Sequence, residues 1–170
     1  MQVRTVRVVV ALGGISAVAT FALVLTLQTL VWSPMGAAPH LSYVQLLDAL
    51  AQHGETLPFA WVVGAGLLGV TLSIALAIVS VALGWRPLTV AAGQLGLLVL
   101  GAPAYWVASF PAGMAVADGL QTYGGDHAPG GRLLYLVSLT AVVALCAIGF
   151  ARSVRGGRHD LLARGSRPLG

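Results

Sequence analysis

The stretch VVVALGGISAVATFALVLTLQTLV, residues 8–31, decides the fold class of this chain. It is 24 residues long and contains no charged side chain. As an α-helix it would extend roughly 36 Å, whereas the hydrocarbon core of a bilayer is about 30 Å thick. The segment can therefore cross a membrane with some tilt. Because it is longer than the apolar part of a cleavable signal peptide, we interpret it as a signal anchor.

Three further segments contain no Asp, Glu, Lys, Arg or His; they are residues 59–84, 88–107 and 133–151. The sequence thus predicts an all-α, antiparallel, up-down four-helix transmembrane bundle in residues 1–151. Pro103 lies inside the third span and should kink its outer half. Pro111 should end this span or begin a short interfacial continuation through Met114.

The composition agrees with a membrane protein and argues against nucleic-acid binding. Hydrophobic residues make up 58% of the chain and charged residues 8%, whereas soluble proteins contain about 25% charged residues. The net charge is +4, but the basic residues lie outside the apolar segments and mostly in residues 152–170, an Arg-rich tail predicted to be disordered. All nine basic residues are Arg and no Asn occurs, which is typical of a high-GC bacterium.

The distribution of arginine predicts the orientation in the membrane. Eight of the nine arginines fall on one side of the four spans, and only Arg132 falls on the other. Under the positive-inside rule, both termini and the turn at Arg86 are cytoplasmic, in a multi-pass protein of a bacterial plasma membrane. The tryptophans agree, since each lies at a predicted span end; they are Trp32, Trp61 and Trp106 outside and Trp85 inside.

A short amphipathic helix is predicted between the first two spans, at SYVQLLDALAQH, residues 42–53. Its apolar residues recur at helical spacing, Ser42 and Gln45 form a capping-box pattern, and Gly54 supplies a stop. We expect this helix on the outer membrane surface or across the mouth of the bundle. Thr56 should then cap the second span.

The outer loop DGLQTYGGDHAPGGR, residues 118–132, is the most suggestive place for site chemistry. Its glycines permit a turn that presents Asp126 and His127 side by side. A metal site could combine these two with other outer residues of suitable chemistry, namely His40, His53, Asp48, Glu55 and Asp118. Their spacing matches no known ligand motif, so the favoured interpretation is a solvated loop, and no catalytic, cofactor or metal residue is predicted.

The polar residues of the spans favour packing over transport. Gln28 and Gln94 must find partners in hydrocarbon, and Gln94 could bond across a close helix contact beside Gly93 and Gly96. No span contains a charge of the kind that marks proton-coupled pathways. Cys146 is the only cysteine, which excludes redox chemistry that needs a cysteine pair.

These observations lead to one principal functional hypothesis and two alternatives. The principal one is a non-enzymatic accessory subunit or scaffold of a membrane complex. One alternative is a small transporter or channel for a neutral or lipid-like solute, using Gln28, Gln94 and the Pro103 kink. The other is an outer-face metal-responsive sensor that uses Asp126 and His127. The expected partners are the lipid bilayer, anionic headgroups through the Arg-rich tail, and another membrane protein or a second copy of this chain.

Overall fold

The computed structural model describes residues 2–165 and the side chains of residues 3–153. In this part of the chain every regular element is helical and no strand is present. The elements, in chain order, are α1 (Gln2–Leu27), a π-helical segment (Gln28–Trp32), α2 (Ser33–Ala37), α3 (Tyr43–Gln52), α4 (Phe59–Ala82), α5 (Pro87–Leu120) and α6 (Gly130–Gly165).

Four helical stretches are long and apolar enough to cross a membrane. They span residues 3–37, 59–82, 87–120 and 130–153. This confirms the prediction of four apolar membrane-length helices and fits a multi-pass integral membrane protein. The first stretch is longer than predicted, because α1, the π-helical segment and α2 follow one another without a break.

The third span differs most from the prediction. Helix α5 includes both Pro103 and Pro111 and runs to Leu120, so the prediction that Pro111 ends the span or is followed by helix only through Met114 is wrong. The last turns of α5 bury small and apolar residues, namely Ala112, Ala115, Val116 and Gly119. Packing of these residues extends the helix past a residue that weakens it locally.

The last helix also exceeds its predicted end. Helix α6 continues to Gly165, whereas the sequence predicted a disordered tail from residue 152. Arg, Leu and Ala are good helix formers, and residues added to an existing helix avoid the cost of nucleation. Residues 166–170 lie outside the described part of the chain.

Helix α1 is central to the packing and contacts α4, α5 and α6. Gln94 on α5 is 3% exposed and bonds to Ser73 on α4 twice: its Oε1 accepts from the Ser73 hydroxyl at 2.7 Å, and its Nε2 donates to the Ser73 carbonyl at 3.1 Å. The prediction that Gln94 bonds across a close helix contact is confirmed. On α6, the Ser138 hydroxyl donates to the Leu98 carbonyl at 2.7 Å.

Helix α3 forms as predicted. Both hydrogen bonds of the Ser42–Gln45 capping box are present. Leu46 and Leu50 are fully buried, and Leu50 lies against Gly119 of α5. The predicted cap on the next span is wrong, because α4 begins after Pro58 without a side-chain cap.

Candidate functional site

The helices have two chemically different ends. The acidic end carries α2, α3 and the loop 121–129, together with the acidic residues Asp48, Glu55, Asp118 and Asp126. The arginine end carries Arg7, Arg86 and Arg152, and Arg7 there donates from Nη2 to the Gly84 carbonyl at 3.0 Å.

A cavity of about 200 Å³ opens at the acidic end, beneath the loop 121–129. We call it the polar cavity. Four separate parts of the chain supply side chains with hydroxyl, carboxylate or aromatic groups to its lining. The residues that carry these groups are Thr29, Ser33, Tyr105, Trp106, Ser109, Phe110, Asp126 and Tyr135.

The π-helical segment forms one wall of this region. Its wider turn places Gln28 and Thr29 side by side in the interior, where they are 0% and 3% exposed. Gln28 Nε2 donates to the Ala128 carbonyl at 3.0 Å and so ties the loop to the first span. Single turns of π-helix within α-helices occur frequently at functional sites.

Tyr105 and Asp126 form the polar centre of the cavity. The Tyr105 hydroxyl donates to Asp126 Oδ1 at 2.6 Å. The Tyr105 ring is 1% exposed and packs edge to face on Tyr135, with ring centroids 5.6 Å apart. Asp126 itself is exposed, and it lies where the N-terminus of α6 favours a negative charge.

Two glycines at the start of α6 make this arrangement possible. A Cβ atom on Gly131 would lie 2.7 Å from the Tyr105 hydroxyl and would also collide with the Asp126 carboxylate. A Cβ atom on Gly130 would collide with the Gln28 side chain. Any larger residue would therefore push the polar groups away from α6.

The structure separates the two loop residues that the sequence placed side by side. Asp126 faces Tyr105, whereas the His127 ring stacks on Tyr123 at 4.4 Å and its Nε2 lies 3.4 Å from the Thr122 hydroxyl. The His127 backbone N–H donates to Ser33 Oγ at 3.1 Å. Among the side chains of residues 3–153, no three His, Cys, Asp or Glu are grouped so that they could hold a metal ion.

Unpartnered polar atoms concentrate at the acidic end. Among the described side chains, four buried polar atoms lack a hydrogen-bond partner, and three of them lie here: Gln28 Oε1, Thr29 Oγ1 and His127 Nδ1. Leaving such an atom unpaired costs about 1–3 kcal/mol, so each one calls for an explanation. Thr29 is the informative case because it also lines the polar cavity.

Sequence reasoning singled out Gln28 and Asp126 but missed Thr29, Tyr105 and Tyr135. A tyrosine inside an apolar span, next to the interfacial Trp106, was the available signal for Tyr105. Nothing local marks Thr29, because its importance comes from a cavity shared by distant segments.

No family model, curated protein or solved structure matches this chain.

Proposed function

We propose that this protein is a non-enzymatic, multi-pass protein of a bacterial plasma membrane that binds a small solute with an ammonium group in the polar cavity. The observation that carries the proposal is the Thr29 hydroxyl, which is buried and has no partner among the described side chains, on a residue that lines the cavity. A group of this kind lowers the stability of the empty protein and is explained if a ligand bonds to it.

The lining of the polar cavity favours a cation. Asp126 supplies the only charged side chain of the lining, and its charge is negative. Trp106, Phe110 and Tyr135 add aromatic rings, whose faces attract ammonium groups. Hydroxyls on Thr29 and Ser33 can accept hydrogen bonds from a primary ammonium.

The proposed topology directs the polar cavity outward. In an up-down bundle with both termini in the cytoplasm, the arginine end lies inside and the acidic end outside, in agreement with the positive-inside rule. The solute would then come from outside the cell.

Thr29→Val tests the proposal through two opposite effects. It removes an unpaired hydroxyl while nearly keeping the side-chain shape, so the ligand-free protein should gain about 1 kcal/mol of stability. Binding of ethanolamine, used as the ammonium probe, should become weaker. The matched control is Thr26→Val, one turn earlier, because the Thr26 hydroxyl is already bonded to the Ala22 carbonyl at 2.9 Å.

Detergent-purified protein would be measured by thermal unfolding and by calorimetric titration with ethanolamine hydrochloride at constant ionic strength. The proposal fails if Thr29→Val destabilises the ligand-free protein as Thr26→Val does, or if wild-type protein shows no saturable binding.

A second pair of variants tests the charge requirement. Asp126→Asn should weaken ethanolamine binding about tenfold or more, since hydrogen bonds to charged groups contribute about 1.5–3 kcal/mol. Asp118→Asn removes the same charge from the same end but outside the cavity lining, and it should leave binding unchanged. Equal binding of ethylene glycol would show that the cavity takes neutral solutes. Zinc binding that His127→Ala abolishes would favour a metal sensor, and either result would contradict the ammonium assignment.

An accessory-subunit role is the second candidate, and a groove along the spans favours it. This groove is lined entirely by small and apolar residues of α1, α4 and α5, including Gly66, Gly69 and Gly101. Small residues allow close approach of a neighbouring transmembrane helix.

Gly69→Leu tests the subunit candidate. A Cβ atom there would meet only Val18, at 4.0 Å, so the side chain should fill the groove without disturbing the fold. Gly64→Leu on the same helix is the control, because no atom lies within 4 Å of its Cβ position. A partner that co-purifies with wild type and Gly64→Leu, but not with Gly69→Leu, would support this role. Equal recovery with all three would oppose it.

A further inference from the structure

Two arginines from distant parts of the chain line one cavity at the arginine end. Arg86 precedes the first residue of α5, and Arg152 lies on α6. Together with Leu88 and Thr89 they line a cavity of about 480 Å³. Arg152 Nη2 donates to the Thr89 hydroxyl over a long distance of 3.5 Å, so this guanidinium lies beside the start of α5.

Among the described side chains, the charge around this cavity is positive. The acidic side chains that the structure describes all lie at the opposite end, and none lines the cavity. The N-terminus of α5, a helix of 34 residues, adds its own partial positive charge. Two guanidinium groups beside a helix N-terminus, without a carboxylate among the described lining residues, favour binding of a phosphate group.

An apolar groove adjoins this cavity and indicates what carries the phosphate. Leu88 and Arg152 also line a second cavity of about 380 Å³, whose remaining residues are Ala147, Ile148 and Ala151 of α6. These three residues lie on the part of α6 that spans the membrane. A charged cavity that continues into an apolar groove along a transmembrane helix matches a phospholipid, whereas a free phosphate would use only the charged part.

We infer that Arg86, Thr89 and Arg152 bind the phosphate of an anionic phospholipid, with an acyl chain of this lipid in the groove along Ala147, Ile148 and Ala151. This site is separate from the polar cavity and does not depend on its function. It also differs from a general attraction of the Arg-rich tail to anionic membranes, because its geometry is set by α5 and by the membrane-spanning part of α6.

The test is lipid binding to the full-length protein in neutral detergent, measured by mass spectrometry of intact complexes. Phosphatidylglycerol is the anionic probe, phosphatidylcholine the zwitterionic reference, and glycerol phosphate the headgroup without chains. We expect preferential retention of phosphatidylglycerol and no saturable binding of glycerol phosphate over the same concentration range. Equal retention of both lipids would overturn the inference. Glycerol phosphate binding as tight as that of the anionic lipid would instead indicate a site for free anions.

A matched pair of double variants separates the site from the tail. Arg86→Gln with Arg152→Gln should weaken phosphatidylglycerol binding about tenfold, which corresponds to about 1.4 kcal/mol. Arg158→Gln with Arg164→Gln removes the same charge from the tail and should change binding by less than about twofold. Equal effects of the two pairs would assign the attraction to overall charge. Circular dichroism would check that each variant is folded. If the double variant is unstable, Arg152→Gln alone should give an intermediate loss of phosphatidylglycerol binding.

A further variant tests whether an acyl chain lies in the apolar groove along Ala147, Ile148 and Ala151. Ala147→Phe should fill the groove and weaken phosphatidylglycerol binding with both arginines intact. Val142→Phe, at a position on the same helix that is 39% exposed and faces away from Ala147 and Ala151, is the control and should have no effect. Unchanged lipid binding in Ala147→Phe would exclude an acyl chain from this groove.

Discussion

The Gln94–Ser73 pair allows a quantitative test of how α4 and α5 are held together. Ser73→Ala removes the 2.7 Å hydroxyl bond and leaves Gln94 Oε1 buried without its partner, while the 3.1 Å bond to the Ser73 carbonyl can persist. Interhelical hydrogen bonds in membranes contribute about 0.6 kcal/mol on average and up to about 1.7 kcal/mol. The unpaired oxygen adds to the loss, so we expect Ser73→Ala to cost about 1–2 kcal/mol.

Gln94→Met removes the other half of the pair. Methionine is the suitable replacement because it is unbranched, and the Cβ and Cγ atoms of Gln94 lie against Gly14. In the methionine background the Ser73 hydroxyl can bond to a carbonyl of its own helix, so Ser73→Ala should then cost about 0.5 kcal/mol or less. The coupling energy between the two positions should therefore be about 1 kcal/mol.

The assay is reversible unfolding of the four proteins of this double-mutant cycle in mixed detergent micelles. Thr71→Ala serves as control, because the Thr71 hydroxyl is exposed and bonds to the Leu67 carbonyl within α4. A coupling energy below about 0.3 kcal/mol would refute the reasoning, since it would mean that the pair does not stabilise the contact between the helices.

Two further predictions concern packing and topology. Gly96→Ala should raise the free energy of unfolding by about 0.5–1 kcal/mol, because its Cβ would meet no atom within 4 Å. Gly101→Ala should lower the free energy of unfolding by about 1–3 kcal/mol, because its Cβ would lie 2.6 Å from the Phe21 ring. Thermal unfolding of both variants checks the signs, and equal shifts would contradict the packing of α1 on α5. Reporter fusions after Arg155 should report cytoplasm and fusions at Gly125 the outside, and the reverse pattern would overturn the proposed topology.

The sequence by itself determined the parts of the fold that depend on local properties. A run such as residues 8–31 identifies a membrane-length helix because the hydrocarbon core has a fixed thickness and excludes charge. The capping box likewise predicted the start of α3, because Ser42 and Gln45 form a local pattern only four residues long. The need of Gln94 for an interhelical partner also followed from its place in an apolar span.

Only the tertiary structure decided where α5 ends and which polar groups meet. The helix continues past Pro111 because its last turns bury small residues against neighbouring elements, which no local pattern reveals. Tyr105 and Asp126 are hydrogen-bonded although they are 21 positions apart in the sequence. Gln28 donates to the carbonyl of Ala128, which is 100 positions away. Such contacts depend on how each helix is rotated and shifted against the others. Hydropathy is nearly uniform around these helices and therefore leaves rotation and shift open, so close packing of the side chains decides them.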